Sequence, residues 1–139
     1  MATLNDAIIL ATTMHKGQYD KGGHPYILHP LRIMLMADSD VNRIVAVLHD
    51  VVEDTEVTLE GLRQLGYGDE IVEAIDHLTR RESETYMEFI ARTKQNEIAR
   101  VVKLLDIEDN SDLSRLSEVT QQDLTRAKRY SKAKEILMG

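Results

Sequence analysis

A segment in the middle of the chain places ionisable side chains beside an apolar run. It reads Arg43-Ile-Val-Ala-Val-Leu-His-Asp-Val-Val-Glu-Asp54. In a helix with about 100° between successive residues, His49, Asp50, Glu53 and Asp54 share one arc of about 140°. The other arc holds only valine, isoleucine and leucine. So wide an apolar face predicts a helix that is packed into the core.

The acidic arc needs a source of positive charge. Carboxylates on one face of a core helix repel each other and lose hydration energy. A bound divalent cation offsets both costs, and imidazole and carboxylate ligands suit such an ion. The simpler alternative is that Asp50, Glu53 and Asp54 form the exposed face of an amphipathic helix. These residues alone leave both interpretations open.

Two further sites add candidate ligands. Asp106 interrupts the apolar run after Val101, with Lys103 about one turn before it and Asn110 one turn after it. Asp106 is therefore either a further ligand of the same ion or the partner of Lys103 in a surface ion pair. His29 precedes Pro30 at the end of a glycine-rich loop, where a loop can direct a side chain into a site.

Composition excludes several function classes. The chain has 139 residues, with 17 Lys+Arg against 24 Asp+Glu and a net charge of −7. That balance argues against a nucleic-acid partner. Without cysteine the chain has no disulfide, thiol nucleophile or thiolate zinc site. It has neither a membrane-length apolar run nor a basic signal sequence, so we expect a cytoplasmic protein with no membrane contact.

The spacing of apolar residues is helical nearly throughout, and no strand-like alternation is present. The sequence predicts an all-α fold, a compact single-domain bundle of seven or eight short helices over residues 1–139. The expected helices are 2–16 with Thr3 or Asn5 as cap, Pro30 to Met36 after a loop over 17–30, 43–52 with Asp40 or Asn42 as cap, 59–66, one from Asp69, one opening at Ser83–Glu84, one from about Glu97, and one from Thr120 or Asp123 to Met138.

The ordered motifs resemble the HD-domain phosphohydrolases. They are most similar to the hydrolase domain of RelA/SpoT-type enzymes and to the small alarmone hydrolases. The matching segments are His15-Lys-Gly-Gln18, Gly23-His-Pro-Tyr-Ile-Leu-His-Pro30, Leu48-His-Asp-Val-Val-Glu-Asp-Thr55 with Thr58-Leu59, Leu78-Thr79, and Val102-Lys-Leu-Leu-Asp106 with Asn110. A His-Asp pair alone is a weak signal, but this ordered set covers most of the chain. The resemblance implies the HD-domain fold.

The resemblance also implies a metal-dependent reaction. The implied ligands of a single Mn²⁺ ion are His29, His49, Asp50 and Asp106. Glu53 and Asp54 match the catalytic pair that orients or deprotonates the attacking water. In the family that water attacks the 3′-diphosphate of ppGpp or pppGpp, so diphosphate leaves and GDP or GTP remains.

The resemblance implies a small nucleotide as partner and suggests its contacts. Lys21 matches a basic loop position, Asn110 a ribose-contacting asparagine and Tyr130 a tyrosine near the substrate. Arg80 and Arg81 follow Leu78-Thr79 and are candidates for contacts with distal phosphates. For the basic residues the alternative is a solvated surface charge. A homo-oligomer is compatible with the sequence.

Three positions depart from the family pattern. Asp20 stands where an arginine packs on guanine, Leu105 replaces an alanine, and Asp109 stands where an aromatic residue or histidine is common. We expect the metal and water chemistry to survive these changes, while the guanine preference stays open.

Three alternative functions follow from these departures and from the family's range. They are an HD phosphatase acting on another nucleotide such as NADPH, a nucleotide-binding regulator without activity, and a dinuclear HD phosphodiesterase or oxygenase. The presence of Glu53 and Asp54 argues against the regulator. The absence of the lysine usual in the cyclic-dinucleotide group argues against the dinuclear enzyme.

Overall fold

The computed structural model describes residues 1–116 and 118–139, which fold into a bundle of helices. Within these ranges there are nine α-helices, one short 3₁₀ helix and no β-strand. The helices are α1 (Leu4–Met14), α2 (Leu28–Met36), α3 (Asp40–Leu48), α4 (Val51–Asp54), α5 (Leu59–Gln64), α6 (Asp69–His77), α7 (Tyr86–Lys94), α8 (Glu97–Asn110), the 3₁₀ helix Leu113–Arg115, and α9 (Gln121–Met138). The predicted all-α fold is confirmed.

Helix α3 lies at the centre of the bundle because its second half is entirely apolar. Ile44, Val45, Ala46, Val47 and Leu48 are all buried. The helix packs against α1, α2, α6 and α8. Burial of each large aliphatic side chain contributes about 1.5–3 kcal/mol. This packing fixes the end of α3, from which the next residues enter the site.

The continuous helix predicted over 43–52 is wrong at one point. The helix is interrupted at His49 and Asp50, and the single turn of α4 follows. In an uninterrupted helix the Ala46 carbonyl would accept from the Asp50 N–H. It accepts instead from the His49 ring Nδ1, at 2.6 Å, and from the His49 backbone, at 3.4 Å. The angles of a straight helix therefore do not apply beyond His49, and the split accounts for one of the additional helices.

The N-terminal caps of α1 and α3 can be compared with the predicted ones. For α1 one of the two predicted residues is the cap, and for α3 neither is. Helix α1 is shorter at both ends than 2–16, and Thr3 rather than Asn5 is its cap. Helix α3 is capped by Ser39, whose hydroxyl accepts from the Asn42 N–H at 3.1 Å. The predicted caps Asp40 and Asn42 are wrong because both residues lie inside the first turn.

The helix predicted to open at Ser83–Glu84 begins later. Thr85 is the cap of α7 and Tyr86 is its first residue. Glu84 stays in the preceding loop because its carboxylate accepts two bonds from Arg92, at 2.6 and 2.8 Å. Helix α9, expected to begin at Thr120 or Asp123, begins at Gln121 with Thr120 as its cap.

A smaller core joins the last three helices. Its buried residues are Phe89, Ile90, Ile107, Ala133 and Leu137. Because α8 contributes to this core and to the larger one around α3, it is held on two sides. Among the residues described, no helix has both the length and the apolar character to cross a membrane.

Candidate functional site

The loop between α1 and α2 is folded by its own polar groups. One carboxylate oxygen of Asp20 accepts from the backbone N–H groups of Gly22 and His24, at 2.9 Å each. Gly23 has φ +81, a conformation that glycine adopts at little cost. A Cβ added to Gly22 would lie 3.0 Å from the Arg115 carbonyl oxygen. Asp20 therefore has a structural role in the loop.

Helix α2 begins two residues before Pro30, so His29 lies in its first turn and not at the end of the loop as predicted. Pro30 is tolerated there because N–H groups of the first turn have no intrahelical partner. His29 and Arg32 are then one turn apart, and both contact α8.

Buried ligand-type atoms converge between α2, the end of α3 and α8. His29, His49 and Asp106 each place one such atom within 4.8 Å of the others. One Asp106 oxygen lies 2.8 Å from His29 Nε2 and 3.3 Å from His49 Nε2. Asp50 adjoins this group, with an oxygen 2.9 Å from His49 Nε2. The structure thus brings the four predicted ligands together.

The hydrogen-bond pattern at His49 fits a bound cation. Because Nδ1 contacts the Ala46 carbonyl oxygen, Nδ1 carries a proton, and Nε2 presents a lone pair in the neutral ring. Nε2 is buried and makes no hydrogen bond to any described residue. Two carboxylate oxygens nevertheless lie within 3.3 Å of it. A divalent ion among these acceptors would satisfy them together, and the ligand types suit one.

The electrostatics favour positive charge at this centre. Burial lowers the pKa of both histidines, but the hydrogen bonds to Asp106 and Asp109 outweigh it at His29 and the charges of Asp50 and Asp106 outweigh it at His49, so both pKa values are raised. Burial raises the pKa of Asp106, but Lys103 and the two imidazoles hold it well below the usual range. Two ionised carboxylates beside two imidazoles form a site that attracts cations.

The carboxylate ligands are held by further side chains. The Tyr26 hydroxyl donates to Asp50. Lys103 Nζ donates to one oxygen of Asp106 at 2.7 Å, and the Asn110 amide donates to the other at 3.0 Å. The Lys103–Asp106 pair exists, but it is not the surface pair of the simpler alternative, since the two side chains are only 12% and 6% exposed. Such partners orient metal ligands.

Glu53 and Asp54 lie on α4, at the exposed side of the centre. Burial, followed by the charges of Asp50 and Asp54, raises the pKa of Glu53 to about 7. Burial and Asp50 also raise the pKa of Asp54. A carboxylate that titrates near neutral pH has the basicity that suits a general base.

A cavity of about 330 Å³ adjoins the cluster. Tyr26 and Asn110 belong to both, because they line the cavity and contact Asp50 and Asp106. The cavity is lined by Tyr19, Asp20, Lys21, Gly22, Tyr26, Asn110, Asp112, Leu113, Arg115, Leu116, Asp123, Arg126, Ala127 and Tyr130. Its lining includes three tyrosines, three basic residues and three aspartates.

Three of the five predicted substrate residues line this cavity: Lys21, Asn110 and Tyr130. Lys21 Nζ lies 3.2 Å from Asp123 in this structure. Arg81 is not among the lining residues, and its guanidinium donates to Asp76 at 3.0 Å. Arg80 lies over the ring of Tyr86.

Comparison with known proteins places this arrangement in a family. A family model described as the HD domain matches residues 7–137, which is nearly the whole chain. The chain belongs to the HD domain family. The resemblance seen in the motifs is thereby confirmed.

The relatives of this HD domain are longer bacterial proteins. It is 31% identical to a GTP pyrophosphokinase of Streptomyces coelicolor over 92% of this chain and 16% of that protein. It is 30% identical to a guanosine-3′,5′-bis(diphosphate) 3′-pyrophosphohydrolase of Aquifex aeolicus over 72% of this chain and 16% of that protein. The chain therefore spans about one-sixth of the length of these curated relatives.

A solved structure shares the fold of this HD domain. It belongs to a metazoan ortholog of SpoT that is described as hydrolysing ppGpp and as playing a role in starvation responses. The TM-score is 0.80 at 24% identity, covering 100% of this chain and 87% of that chain. This likeness supports the HD-domain fold.

The sequence did not predict two residues of the HD domain that contact the proposed metal ligands, Tyr26 and Asp109. Tyr26 lies three residues before His29, and its hydroxyl donates to the predicted ligand Asp50. Asp109 was treated only as a departure from the family pattern, yet its carboxylate contacts His29 Nδ1 at 2.6 Å. The spacing of Asp106 and Asp109, three residues apart on one helix, is the signal that could have identified it.

Proposed function

We propose that this HD domain is a Mn²⁺-dependent 3′-pyrophosphohydrolase of ppGpp or pppGpp, and that residues 1–139 act as one unit. The observation that supports this most is the junction of the buried cluster with the cavity through Tyr26 and Asn110. The name of the Aquifex aeolicus relative and the activity described for the metazoan ortholog of SpoT agree with this reaction. The cytoplasmic location and the absence of a nucleic-acid partner stay predictions.

The metal would be held by His29, His49, Asp50 and Asp106. When bound, the ion supplies Lewis acidity to a phosphate oxygen and lowers the pKa of a coordinated water. The protein holds the imidazoles through their Nδ1 atoms, so that both Nε2 atoms face the centre. Tyr26 and Lys103 hold the carboxylates.

Glu53 and Asp54 would take the proton from the attacking water and orient it. Their place on the exposed side of the centre leaves them open to the water and to the substrate. In the reaction the water oxygen bonds to the phosphorus next to the ribose 3′ oxygen, and the bond between that phosphorus and the 3′ oxygen breaks. Diphosphate leaves, the 3′ oxygen takes up a proton, and GDP or GTP remains.

The nucleotide would occupy the cavity beside the cluster. Asn110 would contact the ribose, since its amide lies next to the ligand carboxylate of Asp106. The Tyr130 ring offers a face to the nucleotide, and Lys21 would exchange its pairing with Asp123 for a phosphate. Arg81 would have to leave Asp76 to reach a distal phosphate.

A substrate panel tests this proposal against the nearest alternatives. Metal-stripped protein is incubated with ppGpp, pppGpp, GTP and NADPH, with and without added Mn²⁺, and the products are separated by anion-exchange chromatography. We expect Mn²⁺-dependent release of diphosphate from ppGpp and pppGpp only. Cleavage of NADPH with intact ppGpp would overturn the alarmone substrate, and binding without cleavage of any nucleotide would indicate a regulator.

A further inference from the structure

Asp109 contacts the proposed metal ligand His29 on the side of the ring that faces away from the metal cluster. The ring of His29 has a carboxylate at each nitrogen, with Asp106 2.8 Å from Nε2 and Asp109 2.6 Å from Nδ1. Only the Asp106 side belongs to the group of converging ligand atoms. Asp109 is therefore placed to act on His29 from the far side of the ring.

Two arginines hold the Asp109 carboxylate. Arg32 donates through Nε at 2.8 Å and through Nη2 at 3.0 Å, so each carboxylate oxygen receives one bond of the guanidinium fork. Arg115 donates to the Asp109 carbonyl oxygen at 2.8 Å and lies 3.5 Å from its carboxylate. Pairing of both carboxylate oxygens with one guanidinium is the geometry of an ionised carboxylate. Asp109 is thus a fixed, ionised acceptor.

An ionised carboxylate cannot donate a hydrogen bond, so the bond to Asp109 requires a proton on His29 Nδ1. In the neutral ring Nε2 is then the lone pair, and it faces the centre. His49 reaches the same tautomer through the Ala46 carbonyl, an uncharged acceptor. A charged acceptor at Nδ1 makes the opposite nitrogen a stronger donor to a metal. His29 is the imidazole that receives this support.

We propose that Asp109, clamped by Arg32, is a positioning residue that fixes the tautomer and ring orientation of His29 and strengthens it as a metal ligand. The inference rests on the metal site of the proposed function. It does not depend on the nucleotide. Helices α2 and α8 therefore meet through two pairs of residues. On the metal side His29 faces Asp106, and on the structural side Arg32 holds Asp109.

The competing explanation is that Asp109 and Arg32 only tie α2 to α8. That role predicts a lower melting temperature for the metal-free Asp109 variants and an unchanged metal affinity. Positioning predicts a loss of metal affinity that the stability of the metal-free protein does not explain. The two readouts therefore separate the explanations.

The test is a calorimetric titration of the metal-stripped 139-residue chain with Mn²⁺ alone. Asp109→Asn keeps the shape of the side chain, Asp109→Ala removes the acceptor, and Arg32→Ala removes the clamp. Glu108→Gln is the matched control, because it removes a neighbouring exposed carboxylate of the same helix. We expect Asp109→Ala to weaken Mn²⁺ binding by about 10- to 100-fold, with smaller losses for the other two test variants. Glu108→Gln should stay close to wild type.

Equal affinity of wild type and both Asp109 variants would overturn the inference while leaving the metal site intact. Absence of Mn²⁺ binding by wild type would overturn the metal site and this inference with it. If the Asp109→Ala variant does not fold, a second measurement on Asp109→Asn tests the inference. Nitrogen NMR of the imidazoles in Zn²⁺-loaded wild type and Asp109→Asn should show His29 metal-bound through Nε2 in wild type, with that signal shifted or split in the variant. Identical spectra would contradict the positioning role.

Discussion

Metal binding should displace protons from the two imidazoles of the cluster. The structure raises both histidine pKa values above 6.5, so below pH 6.5 His29 and His49 are mostly protonated in the metal-free protein. Asp50 and Asp106 have lowered pKa values and release none. At pH 6.0 two unshifted histidines would hold about 1.5 protons together, and the raised pKa values move this sum towards two. Because ligand nitrogens must be deprotonated, about two protons should leave as one ion binds.

The assay is calorimetric titration with Mn²⁺ at pH 6.0 in buffers that differ in ionisation enthalpy. It is best done in Glu53→Gln, because Glu53 has a pKa of about 7 and would add a proton of its own. Below the histidine pKa values, apparent affinity should rise by about 100-fold per pH unit, which is the slope for two protons. Proton release near zero, with an affinity that does not change with pH, would refute the assignment of His29 and His49 as ligands.

Three further predictions concern the site and its support. Glu53→Gln should lower kcat by about 100-fold or more and remove the fall in rate at acid pH, while Mn²⁺ still binds. That fall is expected below about pH 7 because the carboxylate must be ionised to accept a proton. Rate profiles measure it, and a Gln variant with the wild-type profile would contradict the role. Lys21→Ala should raise KM for ppGpp in steady-state assays and change the free energy of unfolding by less than about 1 kcal/mol, since its side chain is 49% exposed. An unchanged KM would remove Lys21 from the site. Leu48→Ala should lower the free energy of unfolding in urea by about 2–5 kcal/mol, because Leu48 is fully buried, whereas the exposed Leu124→Ala should change it little.

Most of the fold was predictable because the helical periodicity is strong and the caps are local. Thr58 and Thr120 cap the helices expected to follow them. The break at His49 was not predictable from periodicity, since the apolar pattern continues through Val51 and Val52. The break depends on which group donates a hydrogen bond to the Ala46 carbonyl oxygen, and in the folded protein that group is the His49 ring.

The candidate ligands were predictable because imidazoles and carboxylates stand out against apolar runs. The partner Arg32 was not, because it looks like an ordinary helix-surface residue until α2 and α8 are brought together, whereas the spacing of Asp109 from Asp106 did carry a signal. Whether Lys103 is exposed or buried also depends on how the helices pack. The sequence alone could not decide between the pairing of Lys103 with Asp106 on the surface and in the core.

The most direct test of the account is the identity of the products formed from ppGpp. Metal-stripped protein is supplied with Mn²⁺ and ppGpp, and the reaction is followed by phosphorus NMR. The account predicts GDP and diphosphate in equal amounts, with loss of activity in the chelator-treated sample and its return when Mn²⁺ is added. Intact ppGpp in the presence of bound Mn²⁺, or orthophosphate as the first product, would contradict it.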